Sequence, residues 1–426
     1  MEQKLTGKSI LSWIADNLVV LIFLAFTIIG LAFSEVSFSW FLSELTGRLY
    51  RNGMLVISLI IPVVAGLGLN FGIVIGAMAG QIGVIFVRFF GLGGISGLLL
   101  AMLVAVPLSI LFGWMTGILY NKTRGQETIT SLIVGYFANG LYYFMFLFVM
   151  GVVIKMPKGH PMISPQTGIG VRNTVDLGMA DQGGLKYALD NILKIPFCQA
   201  LILIAAIILI LQALRFVRKK QEMKQTKNLV MTIVNIALCA VVIAVGAVSI
   251  ATRNSLTTVA KVPVVTVLFI VAACVFTELI LKTKLGQDFK SVGQSQSISE
   301  VSGINVDRTR IIAVIISTVL ASWGQIIFLQ NVGTLNVYDA HTQVGMFAVA
   351  SILVGGASTA KATVRQAFVG TILFNAMFIM SPEIGQAVFG QALLGEYFRT
   401  FMVYGVIGFA LGLYTWKANR KSRLTI

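Results

Sequence analysis

The chain has 426 residues, 57% of them hydrophobic and 11% charged, with a formal charge of +16 and a mean hydropathy of +0.90. Soluble domains carry roughly 45–50% apolar and about 25% charged residues, so this composition excludes a soluble globular protein and points to a polytopic membrane protein. The three cysteines, Cys198, Cys239 and Cys274, are too scattered for a disulfide framework, and two histidines, His160 and His341, are too few for a His-rich metal site.

Runs of roughly 20 apolar residues cross a hydrocarbon core of about 30 Å as helices. Twelve such runs are predicted, at 16–33, 54–69, 72–90, 95–120, 128–152, 199–217, 228–251, 262–281, 309–330, 342–359, 366–381 and 398–416. They lack strict alternation, which argues for helices rather than barrel strands. The expected fold is an all-α, polytopic transmembrane bundle of about 10–12 spans, a single domain over 1–426. The first run is long and lacks a small-x-small cleavage site, so no cleavable signal peptide is expected. Before it, Thr6-Gly7-Lys8-Ser9 mimics the end of a phosphate-binding loop. Glu2 stands where that motif requires its first glycine, so any ATP hydrolysis must come from another chain.

The third run opens on an interruption, Leu69-Asn70-Phe71, after Gly66 and Gly68. Gly72, Gly76 and Gly80 then follow at i+4 steps, and Gly113–Gly117 and Gly408–Gly412 repeat the spacing. Such glycines let helix backbones approach closely. Asn70 and Gln81 are polar at membrane depth, which calls for an interhelical hydrogen bond or a water-filled pathway. The next polar patch, Asn121 to Gly140, places Glu127 at a helix start, where its charge is favourable, with Thr128 or Thr130 as a cap. Tyr136 and Asn139 share a helix face at i,i+3 and are pathway candidates. The segment 153–198, with Pro157, Pro161 and Pro165, is expected outside; loops of that length are usually functional or disordered.

The polar loop 283–310 reads T-K-L-G-Q-D-F-K-S-V-G-Q-S-Q-S-I-S-E-V-S-G-I-N-V-D-R-T-R. Ser297 and Glu300 form an S-x-x-E capping box and Gly303 stands at a left-handed stop, which predicts a short helix exposed at the membrane surface. Basic residues fall in alternate loops: Lys4 and Lys8, Lys122 and Arg124, 215–227, 282–310, Lys361 and Arg365, and 417–423 hold 21 of the 32 Lys and Arg. By the positive-inside rule these loops and both termini are cytoplasmic. The charge sets topology, and no nucleic-acid partner is expected. No Asp, Glu or His falls within the interior of these twelve runs, which disfavours a proton relay and points to a neutral cargo. No catalytic cluster or cofactor site is apparent, so the chain is expected not to be an enzyme.

Three stretches resemble the permease subunits of simple-sugar and nucleoside ABC importers, in the branched-chain-amino-acid/ribose superfamily. Gly68–Gln81 is similar to the glycine-rich interrupted helix of nucleoside-type members, and Gln126–Ala138 is similar to their N-E-V-I-T-T-I-M-L-N-Y-I-A segment. Thr283–Val306 is similar to their T-K-L-G…G-I-N-V loop, with Gly355-Gly356 in place of a late double glycine. The likeness covers most of the chain outside 153–260; an extra helix pair is expected there. Ser295, where the family has Asn, and Ile298-Ser299, where it has Ala-Ala, are departures. The resemblance implies a permease in a bacterial cytoplasmic membrane that forms the pathway for a sugar or nucleoside. It also implies three partners in the bilayer assembly: an ABC ATPase, an external binding protein and a second permease copy or paralogue. Asn70, Gln81, Tyr136 and Asn139 are then the pathway residues, and Gly286, Lys290, Gly293, Ser297, Glu300 and Gly303 the ATPase-coupling residues. An ion-coupled secondary transporter is the alternative.

Overall fold

Glycine decides which helices of this chain can touch. In the computed structural model, which describes residues 17–34, 36–155, 157, 160–164, 169–218, 226–252 and 261–424, each of the twelve apolar runs carries a helix. The Thr6–Ser9 motif and the basic residues Lys4, Lys8, Lys219, Lys220 and Lys224 lie outside the described residues. In chain order the helices are α1 (Leu18–Phe33), α2 (Phe38–Val64, with a turn at Ser58–Leu59), α3 (Ile73–Phe89), α4 (Gly94–Lys122) and α5 (Glu127–Val152). After the 153–196 segment come α6 (Phe197–Arg218), α7 (Thr226–Ala251) and α8 (Val264–Ile280). Two surface helices follow, α9 (Lys284–Gln294) and α10 (Gln296–Val301), then α11 (Val306–Val332), α12 (Val344–Val354), α13 (Val364–Phe389) and α14 (Ala392–Leu424).

Among the described residues, five helices are individually long and apolar enough to span a membrane: α2, α4, α5, α11 and α13. The pair α8–α9, bent by 73°, adds a sixth if it is one span. Shorter apolar helices, among them α1, α3 and α12, pack beside them, as the broken helices of transporters do where they line a cavity. The fold is an all-α polytopic bundle.

α11 is the central post. It packs on α2, α3 and α4, and the glycines of α3 and α4 face it. A Cβ on Gly76 would come within 2.7 Å of the Thr318 carbonyl oxygen, on Gly113 within 2.9 Å of Ile315 Cα, and on Gly117 within 3.0 Å of Ile311 Cα. Gly408 and Gly412 have open space around them instead. The same spacing thus marks an interface in α3 and α4 and, among the described residues, none in α14. Gly76→Leu should therefore cost about 1–3 kcal/mol by overpacking, read as a lowered thermal midpoint in detergent; an unchanged midpoint would show that α3 and α11 do not need this approach.

α2 starts sixteen residues before the predicted run at 54, because its first turns are polar. It carries Glu44, Arg48 and Arg51 inside a span. These charges precede the apolar run at 54–69, because the apolar-run criterion stops at such residues, whereas a helix tolerates them when they pair. Glu44 accepts from Arg48 Nε at 3.0 Å.

The face opposite α9 and α10 is capped by the 153–196 segment. β1 (Thr174–Asp176) pairs antiparallel with β4 (Thr334–Asn336), and β2 (Lys194–Pro196) with β3 (Lys261–Pro263). Buried Asp190 accepts hydrogen bonds from Thr266 Oγ1 at 2.5 Å, Gln330 Nε2 at 2.9 Å and Asn331 Nδ2 at 2.5 Å. Three donors to one carboxylate tie this segment to α8 and α11. α6 and α7, in the region where an additional helix pair was expected, pack on each other.

Candidate functional site: a cavity with a few polar groups and the loop that reaches it

Two helices of the bundle are broken on the face that carries α9 and α10. Between α2 and α3 the chain turns through Gly66 (φ +76°) and Gly68 (φ +67°), left-handed conformations that favour glycine. After α12 it turns through Gly356 (φ +84°). Near α12 and the α2–α3 break lies a cavity of about 130 Å³, walled by Phe71 and Val74, by Ser131, Tyr136 and Asn139 of α5, and by Thr342 at the approach to α12. Its walls carry amide and hydroxyl groups and no charged side chain. Asn139 Oδ1 is 2.7 Å from Nε2 of buried His341, which locks α5 to the α12 approach.

The four pathway candidates part company here. Tyr136 and Asn139, one turn apart on α5, stand together on the cavity wall. Asn70 is buried, and its Oδ1 accepts from the Tyr120 hydroxyl at 2.7 Å and from Gly72 N–H at 3.0 Å. That is an interhelical bond that staples the break to α4. Gln81 is buried within α3, away from the cavity, and neither end of its amide has a partner among the described residues.

The loop 283–310 folds as two helices rather than one. Thr283 caps α9, accepting from Gly286 N–H at 3.4 Å. Ser295 then caps α10, accepting from Ile298 N–H at 3.4 Å. The capping box predicted at Ser297 and Glu300 is corrected: Ser297 is already helical, because α9 runs to Gln294 and leaves Ser295 alone in the extended conformation that a cap requires. Gly303 has φ +82° and does stop the helix. Glu300 pairs with Arg124 at 3.1 Å, and the same guanidinium reaches Asp307 at 2.6 Å.

Gly286, Lys290 and Gly293 turn toward the bundle. Lys290 Nζ donates to the Leu281 carbonyl at 2.8 Å, at the end of α8. Gly286 lies against the backbone of Ile280 and Leu281. Gly293 abuts Gly66: a Cβ on Gly66 would stand 2.8 Å from Gly293 Cα. Loop and break therefore touch backbone to backbone. The break is held on its other side by Ser131, whose hydroxyl accepts from Phe71 N–H at 3.2 Å. One continuous set of contacts runs from α9 through the break to the cavity wall.

Two arginines that sequence reasoning counted only as topology charges complete the arrangement. Arg310 is wholly buried and forms an ion pair with Glu127, the first residue of α5. It also donates to the Tyr120 carbonyl at 3.3 Å and approaches Gln296 Oε1 of α10 at 3.5 Å. Solvent is left with Ile298 and Val301, 69% and 91% exposed. They form an apolar pair at i,i+3 in a polar helix, a signal that was legible and went unread. Among the described residues they make a small exposed apolar patch on an otherwise polar surface helix.

The family described as branched-chain amino acid transport system / permease component matches residues 166–411. The chain belongs to it. No curated protein and no solved structure matches the chain. The match includes the 166–260 region, where no likeness was read from the sequence, and leaves Gly68–Gln81 and Gln126–Ala138 outside its bounds. The permease is thus a multi-pass membrane subunit of an ABC transporter, and ATP hydrolysis lies in a separate ATPase subunit that partners it.

Proposed function

We propose that this permease imports a small hydroxylated solute of the simple-sugar or nucleoside class. It would work as one of two copies or paralogues around a shared pathway in a bacterial cytoplasmic membrane, with both termini in the cytoplasm. The observation that carries the cargo class is the chemistry of the 130 Å³ cavity. The Asn139 amide nitrogen and the Tyr136 hydroxyl can donate, and the hydroxyls of Ser131 and Thr342, whose protons go to the Thr128 and Asp339 carbonyls, can accept, which matches the hydroxyl groups of such a cargo. The amount of polar wall is small, and a pathway that must release its cargo should bind it weakly.

The ATPase would grip the α9–α10 face, and an external binding protein would deliver cargo to the capped face. Closure of the ATPase on ATP would displace α10. Arg124 and Arg310 would carry that displacement to α4 and α5, and the Gly293–Gly66 contact would carry it to the α2–α3 break. Because the break and Ser131 are bonded, the cavity wall would shift with them and exchange outward for inward access.

Uptake by cells that hold the permease with its ATPase and binding protein tests the cargo class. Labelled ribose, galactose, adenosine, glucuronate and ribose 5-phosphate should be offered beside leucine, and saturable, ATP-dependent uptake is expected for at least one of the sugars, nucleosides or their acidic derivatives. Inward transport of leucine alone would sink the sugar-or-nucleoside reading, and outward transport would sink the direction.

A further inference from the structure

α12 separates two cavities. Thr342, Gly345 and Met346 face the one described above, whereas Gln343, Val344 and Phe347 face another, of about 310 Å³, on the opposite side of the helix wheel. The second cavity is charged. Arg48 and Arg51 of α2 line one side, and Asp339, in the turn before α12, lines another.

Among the described residues the two arginines share one ion-pair partner, Glu44, which lies off the cavity wall, while Asp339 stands on that wall out of ion-pair reach. Glu44 accepts from Arg48 Nε at 3.0 Å and lies 3.8 Å from the Arg51 guanidinium, so one carboxylate serves two cations. Nε of Arg51 is buried and has no hydrogen-bond partner among the described residues. Arg48 is held over the Phe378 ring at 5.0 Å, and Arg399 lies over the same ring at 3.8 Å, paired with Glu396. This stacking fixes the Arg48 fork while leaving its donors at the cavity. Charged groups in a span are retained where they serve a pathway or a ligand. α12 also begins at this wall, with the positive end of its dipole there.

We propose that this cavity binds an oxyanion, a carboxylate or phosphate group carried by a small hydroxylated solute. Guanidinium forks match such groups with two parallel hydrogen bonds. Around the fork, the Asn52 and Asn375 amides, Gln343 and the Asp339 carboxylate supply acceptors and donors for hydroxyls. Asn52 and Asn375 are already bonded to each other at 3.1 Å, which sets their remaining groups in place. The inference rests on the sugar-or-nucleoside reading and adds an acid group to the cargo: a sugar acid, sugar phosphate or nucleotide rather than a neutral sugar.

The test is thermal unfolding of the full chain in phosphatidylcholine nanodiscs at constant ionic strength, with glucuronate, ribose 5-phosphate, inorganic phosphate, glucose, ribose and leucine as probes. Glucuronate or ribose 5-phosphate should raise the midpoint by about 2 °C or more at saturating concentration, and glucose and ribose should not. Arg51→Gln should abolish the shift. Arg51→Lys, which keeps the charge and loses the fork, should fold normally and retain only part of it. An undiminished shift in Arg51→Gln overturns the assignment, as does no shift with any acid. Equal shifts for glucose and glucuronate overturn the acid group and leave the sugar reading standing. A shift with leucine alone overturns both. Stabilisation that appears only when phosphatidylglycerol replaces phosphatidylcholine, with no solute effect, assigns the arginines to lipid phosphate and overturns the solute site.

Discussion

Arg310→Leu is expected to destabilise the folded permease by about 3–5 kcal/mol, the usual loss when one partner of a buried ion pair is removed. Arg310 is fully buried and Glu127 is 11% exposed, so the glutamate left behind has little water to turn to. The Tyr120 carbonyl would lose its donor as well. The measurement is the thermal midpoint and folded yield in detergent. Arg310→Leu with Glu127→Leu should recover most of the loss, since a pair replaced by apolar side chains is often near neutral. If Arg310→Leu melted with the parent protein, the pair would not hold α11 to α5. Recovery of stability without recovery of transport in the double variant would separate a coupling role from a structural one.

Ile298→Asp combined with Val301→Asp is expected to abolish stimulation of the ATPase, with little change in folding. Both side chains are exposed and touch little of the bundle, so surface substitution there should stay within about 0.5 kcal/mol of the parent. At an interface the same change buries two unpaired carboxylates, a cost of several kcal/mol and a loss of a thousandfold or more in affinity. Co-purification of the ATPase, and ATP hydrolysis in proteoliposomes, should both fall to the level without permease. Normal stimulated hydrolysis would move the docking surface elsewhere. Wild-type assembly without stimulation would keep the surface and assign the pair to transmission of movement.

The class of the protein was legible because membrane insertion is a local property. Twelve apolar runs, the interrupted glycines at 66–72 and the loop 283–310 all follow from residue order alone, and each becomes a helix, a break or a surface segment, with α2 beginning well before its predicted run. Gly303 as a stop was legible for the same reason: a positive φ is a property of one residue. The cap was misplaced because Ser295 and Ser297 are equally good caps chemically, and the length of α9 decides between them.

The candidate site was half legible. Tyr136 and Asn139 are one turn apart, and periodicity puts them on one face. Asn70 and Gln81 have the same composition signal, yet the fold gives one a tyrosine hydroxyl 50 residues away and leaves the other unpaired in a helix interior. Arg310 is 183 residues from Glu127, and Arg48 and Arg51 meet the α12 wall nearly 300 residues on. By itself, then, the sequence determined that this chain lives in a membrane, where its helices break and which loop leaves the bundle as a polar surface segment, because hydrophobic length, glycine and capping act over a few residues. Which polar groups pair and which face a cavity was decided only by the tertiary structure, because burial of a charge or amide depends on what distant helices bring to within 3 Å or so of it.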